Sequence, residues 1–250
     1  MKKYIVTGAA QGIGFQVVKD LLSQGHFVIF NDLDTKELAA ATAQLQEIGL
    51  NNFVTIFADS SSETFIQQVE KSIRETPGTI AGAVCNAGIT TFGDFWTYQR
   101  ASMDRILEVN IKGTFFLIQK VASLIREKNQ AGSIVLTSSV TGHIAHPDLA
   151  VYGMTKAALN QLAKNLVIDL SPAQIRINTV SPGATLTERT LSDSSYQHVW
   201  SRITPLGKPA SVQDISEAIL FFLSDHSKHI TGQALVVDGG WTSVGIPPNS

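Results

Sequence analysis

The sequence predicts an α/β fold in which a doubly wound, parallel, seven-stranded sheet carries helices on both faces. Seven short apolar runs alternate with segments of helical period along the chain. The runs are mostly continuous rather than alternating, as expected for strands that are covered on both faces. Crossovers of this length favour parallel neighbours. No repeat, low-complexity tract or Pro/Gly linker divides the chain, so we predict a single domain over residues 1–250.

The seven predicted strands share β-branched and apolar residues and end near polar or small residues. They are YIVT (4–7), FVIFN (27–31), FVTIFA (53–58), IAGAVCN (80–86), SIVLTS (133–138), IRINTV (175–180) and ALVVDG (234–239).

Apolar residues at helical spacing mark the segments between these strands. The stripes are Ile13, Val17, Leu21 and Leu22; then Leu38, Ala41, Leu45 and Ile48; then a long helix from Met103 to Ile125 with apolar residues at 103, 106, 107, 111, 115 and 118.

Composition excludes several classes of protein. Hydrophobic residues make up 44% and charged residues 16%, the formal net charge is −2, and no basic block stands out. We therefore expect no nucleic-acid partner and no membrane partner. Cys85 is the only cysteine, which excludes an intramolecular disulfide and a Cys-rich metal site, so no metal is predicted. The first apolar run stops at Gly8 and no run reaches the ~20 residues of a membrane span, so we expect a cytoplasmic protein.

The turn after the first strand, TGAAQGIG, has glycines at 8, 12 and 14. Glycine allows a tight turn and close approach to a diphosphate, and the following helix offers free N–H groups. The spacing is GxxxGxG rather than GxGxxG, and a plain strand–helix turn also favours glycine. Its place in the first βαβ unit favours a phosphate site.

Asp32 follows the second strand, roughly 20 residues past the glycines, where a carboxylate can accept hydrogen bonds from the ribose hydroxyls of NAD. Two unit charges about 4 Å apart repel by about 4 kcal/mol at an effective dielectric near 20, so a 2′-phosphate would be disfavoured. No Arg or Lys lies in the glycine turn or between Asn31 and Thr35. The sequence predicts NAD over NADP, with Asp34 as the alternative contact.

Six motifs together resemble the short-chain dehydrogenase/reductase family, in that family's order and spacing. They are TGAAQGIG, CNAG (85–88), Asn110, SS (138–139), YGMTK (152–156) and VSPGATLT (180–187), and the resemblance runs from about Lys3 to VDGG (237–240). It implies a Rossmann fold, hydride transfer with a nicotinamide cofactor, and a homotetramer.

Tyr152 and Lys156 lie one helical turn apart and share a face. A free tyrosine has a pKa of about 10 and is a poor base near neutrality, but a nearby ammonium favours the phenolate. We therefore expect Tyr152 to exchange the proton of a substrate alcohol or carbonyl, tuned by Lys156. The resemblance adds that Lys156 holds the nicotinamide ribose. An isolated Tyr–x–x–x–Lys pair is often only a surface pair. Here it occurs together with the other motifs, which favours a catalytic role.

Two further side chains complete the predicted catalytic set. Ser139 ends a predicted strand, where its hydroxyl can hydrogen-bond a substrate oxygen. The neighbouring Ser138 is the alternative candidate for this role. Otherwise its hydroxyl would cap local backbone groups. Asn110 falls on the apolar stripe of its helix, so it must be hydrogen-bonded. A bond to a neighbouring strand and the family's role in positioning a proton-relaying water are both open.

The resemblance also implies the cofactor contacts. They are Gly8, Gln11, Gly12, Ile13, Gly14, Asp32, Asp59, Asn86, Ala87, Gly88, Tyr152, Lys156, Pro182, Gly183 and Thr187. Two alternatives remain open: Asp59 as a helix N-cap, and Asn86-Ala87-Gly88 as a tie within the sheet.

The polar stretch at about 185–209 has few strand or helix signals and is predicted to be a substrate lid. It carries no dominant charge, so a small sugar, polyol, hydroxy-acid or cyclic alcohol all remain open as substrates. A 3-oxoacyl-carrier-protein reductase and a non-catalytic NAD-binding regulator are the alternatives. Aromatic and histidine residues that could line the pocket are Phe92, Phe95, Trp96, His143, His146, Tyr196, His198 and Trp200.

Overall fold

A computed structural model describes residues 1–244, and its centre is a seven-stranded parallel sheet. The sheet confirms the predicted strands to within a few residues. In chain order these are β1 (Lys2–Thr7), β2 (Phe27–Asp32), β3 (Phe53–Phe57), β4 (Thr79–Cys85), β5 (Gly132–Thr137) and β6 (Ile175–Pro182), and the seventh is β9 (Ala234–Val237). A separate pair, β7 (Thr185–Leu186) and β8 (Ala210–Ser211), lies between the last two of them in the chain.

Helices fill the connections between strands. They are α1 (Gly12–Ser23), α2 (Thr35–Glu47), α3 (Glu63–Glu75), α4 (Arg100–Leu107), α5 (Thr114–Glu127), α6 (Ala150–Leu170), α7 (Glu188–Leu191), α8 (Tyr196–Ile203) and α9 (Val212–Leu223). A π-helix (Glu108–Gly113) joins α4 to α5, and short 3₁₀ turns include Val140–Gly142.

Alternate side chains of the central strands enter two different cores, one on each face of the sheet. Ile5 of β1 packs in the core that α3, α5 and α6 cover, whereas the next residue, Val6, packs in the core of α1, α2 and α9. Both side chains are almost fully buried. Each such burial contributes about 1.5–3 kcal/mol, and only a sheet covered on both faces uses a continuous apolar run in this way.

The strand order positions the site. The sheet runs β3-β2-β1-β4-β5-β6-β9, so the order reverses between β1 and β4. Ligands of open α/β sheets bind at such a reversal, outside the carboxyl ends of the strands. The glycine turn after β1 and the CNAG segment at the end of β4 meet there.

The long predicted helix differs from the expected stripe because it is not a continuous α-helix. The π-helix between α4 and α5 adds a residue to one turn and so rotates the residues that follow. Phe115, predicted on the buried stripe, is 38% exposed, and Leu117 is buried instead. Met103 is also exposed, whereas Ile106 and Asn110 are buried.

Three smaller expectations were wrong. Ile48 lies beyond α2 at its C-cap and is exposed rather than buried. Because β3 is an edge strand, Phe57 is also exposed, so this strand is not covered on both faces. The stretch 185–209 forms β7, α7 and α8 where few helix signals were seen. Within residues 1–244, the helices are all too short or too polar to cross a membrane.

Candidate active site

A cleft of about 400 Å³ opens at the carboxyl ends of β1 to β4. Of the predicted cofactor contacts, it is lined by Gly8, Gln11, Gly12, Ile13, Asp32, Asp59, Asn86, Ala87, Gly88 and Thr187. The fold therefore brings predicted contacts from five separate segments of the chain to one surface.

The glycine turn has the shape that a phosphate group needs. Gly8 and Gly12 have φ of 60° and 61°, which side chains rarely adopt. A Cβ on Gly8 would lie 2.8 Å from Cα of Ala87, and one on Gly14 would lie 2.9 Å from Cα of Ala9. The backbone thus packs tightly while the N-terminus of α1 faces the cleft, which fits a dinucleotide diphosphate.

Asp32 and Asp34 have different roles. Asp32 lines the cleft, and its carboxylate is held by the backbone: Oδ2 accepts from the Ala10 N–H at 3.0 Å and Oδ1 from the Leu33 N–H at 2.8 Å. Asp34 caps α2 by accepting from the N–H groups of Lys36 and Glu37. The carboxylate that the cleft presents at the end of β2 is therefore that of Asp32.

Asp59 does not cap α3, whose N-cap is Ser62. It accepts hydrogen bonds from Ser61 and pairs with Arg105, whose guanidinium lies 2.7 Å away. Burial raises the pKa of the Asp59 carboxyl, but the bonds from Ser61 and Arg105 outweigh it and hold the pKa below its usual range. The cleft thus contains a neutralised ion pair at the end of β3.

Asn86 ties three strands together and also lines the cleft. Its Nδ2 donates to the carbonyls of Thr7 and Gly8, and its Oδ1 accepts from the Thr137 hydroxyl at 3.2 Å. The Thr7 hydroxyl accepts from the N–H groups of Asn86 and Ala87. The sheet-stabilising role left open for this turn is therefore observed, and it positions Gly88 beside the cleft.

Lys156 and Tyr152 lie together on α6. The Lys156 Nζ atom is 5.5 Å from the centroid of the Tyr152 ring and donates to the Thr137 carbonyl at 2.8 Å. The lysine side chain is buried and the tyrosine is half-buried. A buried ammonium is costly unless it has a partner, and here it contacts one carbonyl and one aromatic ring.

Each of the two serines after β5 has a hydrogen bond within the protein. The Ser138 hydroxyl donates to the Lys156 carbonyl at 2.8 Å and so fixes α6 to the sheet. Ser139 is the N-cap of the 3₁₀ turn Val140–Gly142, and its Oγ accepts from the Thr141 N–H and hydroxyl. No acceptor within residues 1–244 takes the hydrogen of the Ser139 hydroxyl.

Asn110 sits in the π-helix and is fully buried. Its Oδ1 accepts from the Ile89 N–H at 2.8 Å, while its Nδ2 donates to the Ile89 carbonyl and the Thr155 hydroxyl. Asn110 Oδ1 and Lys156 Nζ each lie 3.3 Å from the position that a Cβ would take on Gly88. The bonds go to the segment after β4 and to α6, rather than to a strand.

Residues 182–187 lead from β6 into the stretch 185–209. Pro182 ends β6 and is buried. Gly183 passes so close to Asp238 that a Cβ would lie 2.6 Å from the Cβ of that residue. Thr187 is the N-cap of α7 and lines the cleft, so this segment connects the cleft to α7.

Several of the aromatic and histidine candidates lie apart from the cleft. Phe92, Phe95 and Trp96 are all strongly exposed. Tyr196 packs against Trp200, which in turn packs against Trp241 with the centroids of the rings 5.0 Å apart. Burial raises the pKa of the Tyr196 hydroxyl.

Three contributors to the site carry no sequence signal. Arg105 of α4 lines the cleft beside Asp59, with which it pairs, and Glu188 and Arg189 line it from α7. The Gly12 N–H donates to Glu188 at 2.9 Å across 176 residues of sequence. A fourth contributor, Thr155, accepts a hydrogen bond from Asn110. Its place directly before Lys156 in the YGMTK motif is its only sequence signal.

The chain is similar in sequence to several known proteins. A family model described as enoyl-(acyl carrier protein) reductase matches residues 8–242. The chain is 33% identical over 247 residues to 2-(S)-hydroxypropyl-CoM dehydrogenase 3 of Xanthobacter autotrophicus, with 96% of each chain covered. It is 32% identical over 243 residues to the 3-oxoacyl-[acyl-carrier-protein] reductase of Staphylococcus aureus, covering 96% of this chain and 97% of that protein.

Solved structures extend the likeness to the fold. A short-chain type dehydrogenase/reductase from Mycobacterium marinum superposes with a TM-score of 0.89 at 29% identity, covering 96% of this chain and 95% of that one. A gluconate 5-dehydrogenase from Burkholderia cenocepacia, solved with NADP and tartrate, gives 0.88 at 26% identity, covering 98% and 96%. The chain belongs to the short-chain dehydrogenase/reductase family of oxidoreductases and has its Rossmann fold.

Proposed function

We propose that the protein transfers a hydride between NAD(H) and the carbinol or carbonyl carbon of a small secondary alcohol or ketone. The observation that carries this proposal is the Tyr152–Lys156 pair, with the ammonium buried 5.5 Å from the phenol ring. A binding module has no need of a cation held against a tyrosine, whereas proton exchange with a substrate oxygen does. The substrate classes left open are a sugar, polyol, hydroxy-acid or cyclic alcohol.

Each residue has a distinct role in this proposal. Tyr152 takes the hydroxyl proton during oxidation and returns it during reduction. Ser139 donates its remaining hydrogen to the substrate oxygen, where charge develops. Lys156 stabilises the phenolate and has two further N–H groups beyond its bond to Thr137, which can reach the ribose hydroxyls and a relaying water. When bound, the nicotinamide ring supplies the hydride acceptor or donor.

Asp32 supports NAD as the cofactor. Backbone N–H groups on both of its oxygens hold the carboxylate in the cleft, where it can accept from two ribose hydroxyls. Against it, the Burkholderia gluconate 5-dehydrogenase was solved with NADP, and Arg105 and Arg189 also line this cleft. Because Arg105 is paired with Asp59, Arg189 is the one unpaired cation that lines this cleft within residues 1–244 and could meet a 2′-phosphate.

A 3-oxoacyl-carrier-protein reductase is the second candidate activity. The specific observation in its favour is the 32% identity to the Staphylococcus reductase over nearly the whole chain. The lid carries no dominant cationic patch to receive an acidic carrier protein, which favours a small substrate.

The lid (residues 185–209), the homotetramer and the cytoplasmic location stay proposals. Phe115, Phe116 and Ile168 of α5 and α6 are exposed apolar side chains, and such faces are typical of subunit contacts. Light scattering should give four times the chain mass of 26.9 kDa. A monomeric mass would contradict the tetramer without affecting the proposed chemistry.

The test of the activity combines a substrate screen with one variant. NADH fluorescence should reveal turnover within a panel of polyols, sugars, hydroxy-acids, cyclic alcohols, their ketones and a 3-oxoacyl thioester. Tyr152→Phe should then retain NADH binding and lose about 10²- to 10⁴-fold in kcat. Tyr4→Phe, which removes a hydroxyl buried in the core of α1, α2 and α9, is the matched control and should keep full activity. Full activity of Tyr152→Phe on an identified substrate would refute the mechanism, and turnover of the thioester alone would favour the second candidate.

A further inference from the structure

A carboxylate of the lid lies where the cofactor's diphosphate would bind. Glu188, the first residue of α7, accepts from the N–H of Gly12 at 2.9 Å, and Gly12 is the first residue of α1. This contact joins two segments that are 176 residues apart.

The N-terminus of α1 has no other anionic partner within residues 1–244. Its N-cap, Gln11, makes no side-chain hydrogen bond, and its first turn contains no acidic residue. A helix N-terminus attracts negative charge because its N–H groups are unpaired and its dipole is positive there. Glu188 supplies a negative charge to this N-terminus, at the glycine turn that the dinucleotide must reach.

The fit between lid and turn extends beyond one hydrogen bond. A Cβ on Gly12 would meet the Thr187 methyl at 3.5 Å and Glu188 Oε2 at 3.8 Å, so the lid lies directly on this glycine. Thr187 caps α7 together with Thr190, which fixes the backbone that carries Glu188. Glu188 is nevertheless solvent-exposed, so water can replace the contact when it opens.

The charges of the cleft oppose simultaneous binding of Glu188 and a diphosphate. The cleft is lined by the carboxylates of Asp32, Asp59 and Glu188 and by the guanidinium groups of Arg105 and Arg189. Because Asp59 and Arg105 neutralise each other, the rest of this lining carries a net negative charge while Glu188 is in place. Its withdrawal would free the Gly12 N–H and leave Arg189 beside the phosphates.

We infer that Glu188 is an affinity-setting residue for the cofactor: in the free protein its carboxylate substitutes for the diphosphate at Gly12, and the dinucleotide must displace it and move the lid. This inference rests on the proposed function, because it assumes that the cleft takes a dinucleotide.

Calorimetric binding of two probes tests this inference. ADP-ribose contains the diphosphate and adenosine does not, so only ADP-ribose competes with Glu188. For Glu188→Ala we expect ADP-ribose to bind about threefold to tenfold more tightly than to the wild type, as loss of one competing hydrogen bond implies. Glu188→Gln removes the charge but keeps an amide oxygen that can accept from the Gly12 N–H, so its gain in affinity should be smaller. Adenosine affinity should not change. Asp193→Asn, which removes the same charge from the lid at a residue bonded to Ser195, is the matched control and should behave as wild type.

The outcomes separate the two proposals. Equal or weaker binding of ADP-ribose to both Glu188 variants would overturn the inference while leaving the dinucleotide site intact. If Asp193→Asn raised the affinity for ADP-ribose by the same factor, the inference would also be overturned. The effect would then come from removing any negative charge from the lid and not from the contact with Gly12. Failure of ADP-ribose to bind any of the proteins, wild type included, would contradict the proposed function, and the role of Glu188 would be rejected with it.

Discussion

The Ser139 hydroxyl shows how one side chain can serve both the backbone and a substrate. Its oxygen accepts two hydrogen bonds from Thr141, so its lone pairs are used and its hydrogen is directed elsewhere. A hydroxyl fixed in this way is preorganised as a donor, which is what stabilises a developing negative charge.

Ser139→Ala should lower kcat by about 10²- to 10³-fold, the usual effect of removing one donor to a developing oxyanion. Loss of the cap should also cost about 1 kcal/mol of unfolding free energy. Thr141→Val separates the two effects, because it removes one bond to Ser139 but leaves the serine hydrogen. We expect this control to stay within a few fold of wild-type kcat, measured at saturating substrate. A kcat for Ser139→Ala near wild type would exclude the proposed role.

Asp32 should decide between the two cofactors. Asp32→Ser removes the charge that repels a 2′-phosphate but leaves an acceptor for the Ala10 N–H. We expect the ratio of kcat/KM for NAD to that for NADP to fall by at least about tenfold, since 1.4 kcal/mol of lost discrimination gives that factor. Asp34→Ser loses the same charge while serine still caps α2, so its ratio should not change. A wild type that prefers NADP would contradict the assignment.

At the scale of elements, the π-helix carries the most information about the site. It contains Asn110, whose buried carboxamide joins the segment after β4 to α6. The sequence predicted that Asn110 is buried and bonded, because a polar residue lay among apolar ones. It could not predict the π-turn, since one extra residue in a turn leaves no local signal and depends on tertiary contacts. Phe115 was misplaced for the same reason.

Thr155 connects the π-helix to α6 through its hydroxyl. Its hydroxyl donates to the Tyr152 carbonyl at 2.7 Å and accepts from Asn110 Nδ2 at 3.1 Å, so one side chain positions two predicted catalytic residues. Thr155→Val keeps the shape and the β-branch but leaves a buried amide hydrogen unpaired, which should cost about 1–3 kcal/mol of unfolding free energy.

The same variant should reduce kcat more than it raises KM, because Tyr152 and Asn110 lose their fixed positions while the cleft is unchanged. Urea unfolding and steady-state kinetics measure the two effects. Thr155→Ser retains the hydroxyl and should recover most of both. If Thr155→Val kept wild-type kcat despite lower stability, the link would be purely structural.

Over the whole molecule, the sequence predicted the features that depend on local residue patterns and motif spacing. The seven strands and their parallel direction follow from apolar runs and crossover lengths, and the glycines, Asp32 and the Tyr152–Lys156 pair follow from motif spacing. What it missed depends on long-range packing: the Arg105–Asp59 pair, the Glu188 contact with Gly12 and the helices of the lid. Each joins residues far apart in the chain, and exposed charged side chains give no periodic signal of where they will bind.

Alkaline pH should destabilise the whole molecule through groups buried in the two cores. Burial raises the pKa of the Cys85 thiol from 9.0 to about 12, and burial with the nearby Asp225 charge raises that of Tyr4 from 10.0 to about 12. The unfolded chain therefore loses these protons first, and the folded state is stabilised fully only below about pH 9.

Between pH 9 and 12 the folded state binds more protons than the unfolded state, so the unfolding free energy should fall as pH rises. Each such group contributes up to about 1.4 kcal/mol per pH unit. Urea unfolding at pH 8, 9.5 and 10.5 measures the slope. Cys85→Ala will be less stable at every pH because of its cavity, but its slope should be shallower than that of wild type above pH 9. Tyr4→Phe should flatten the slope only above pH 10, and identical slopes in all three proteins would show that other groups control alkaline unfolding.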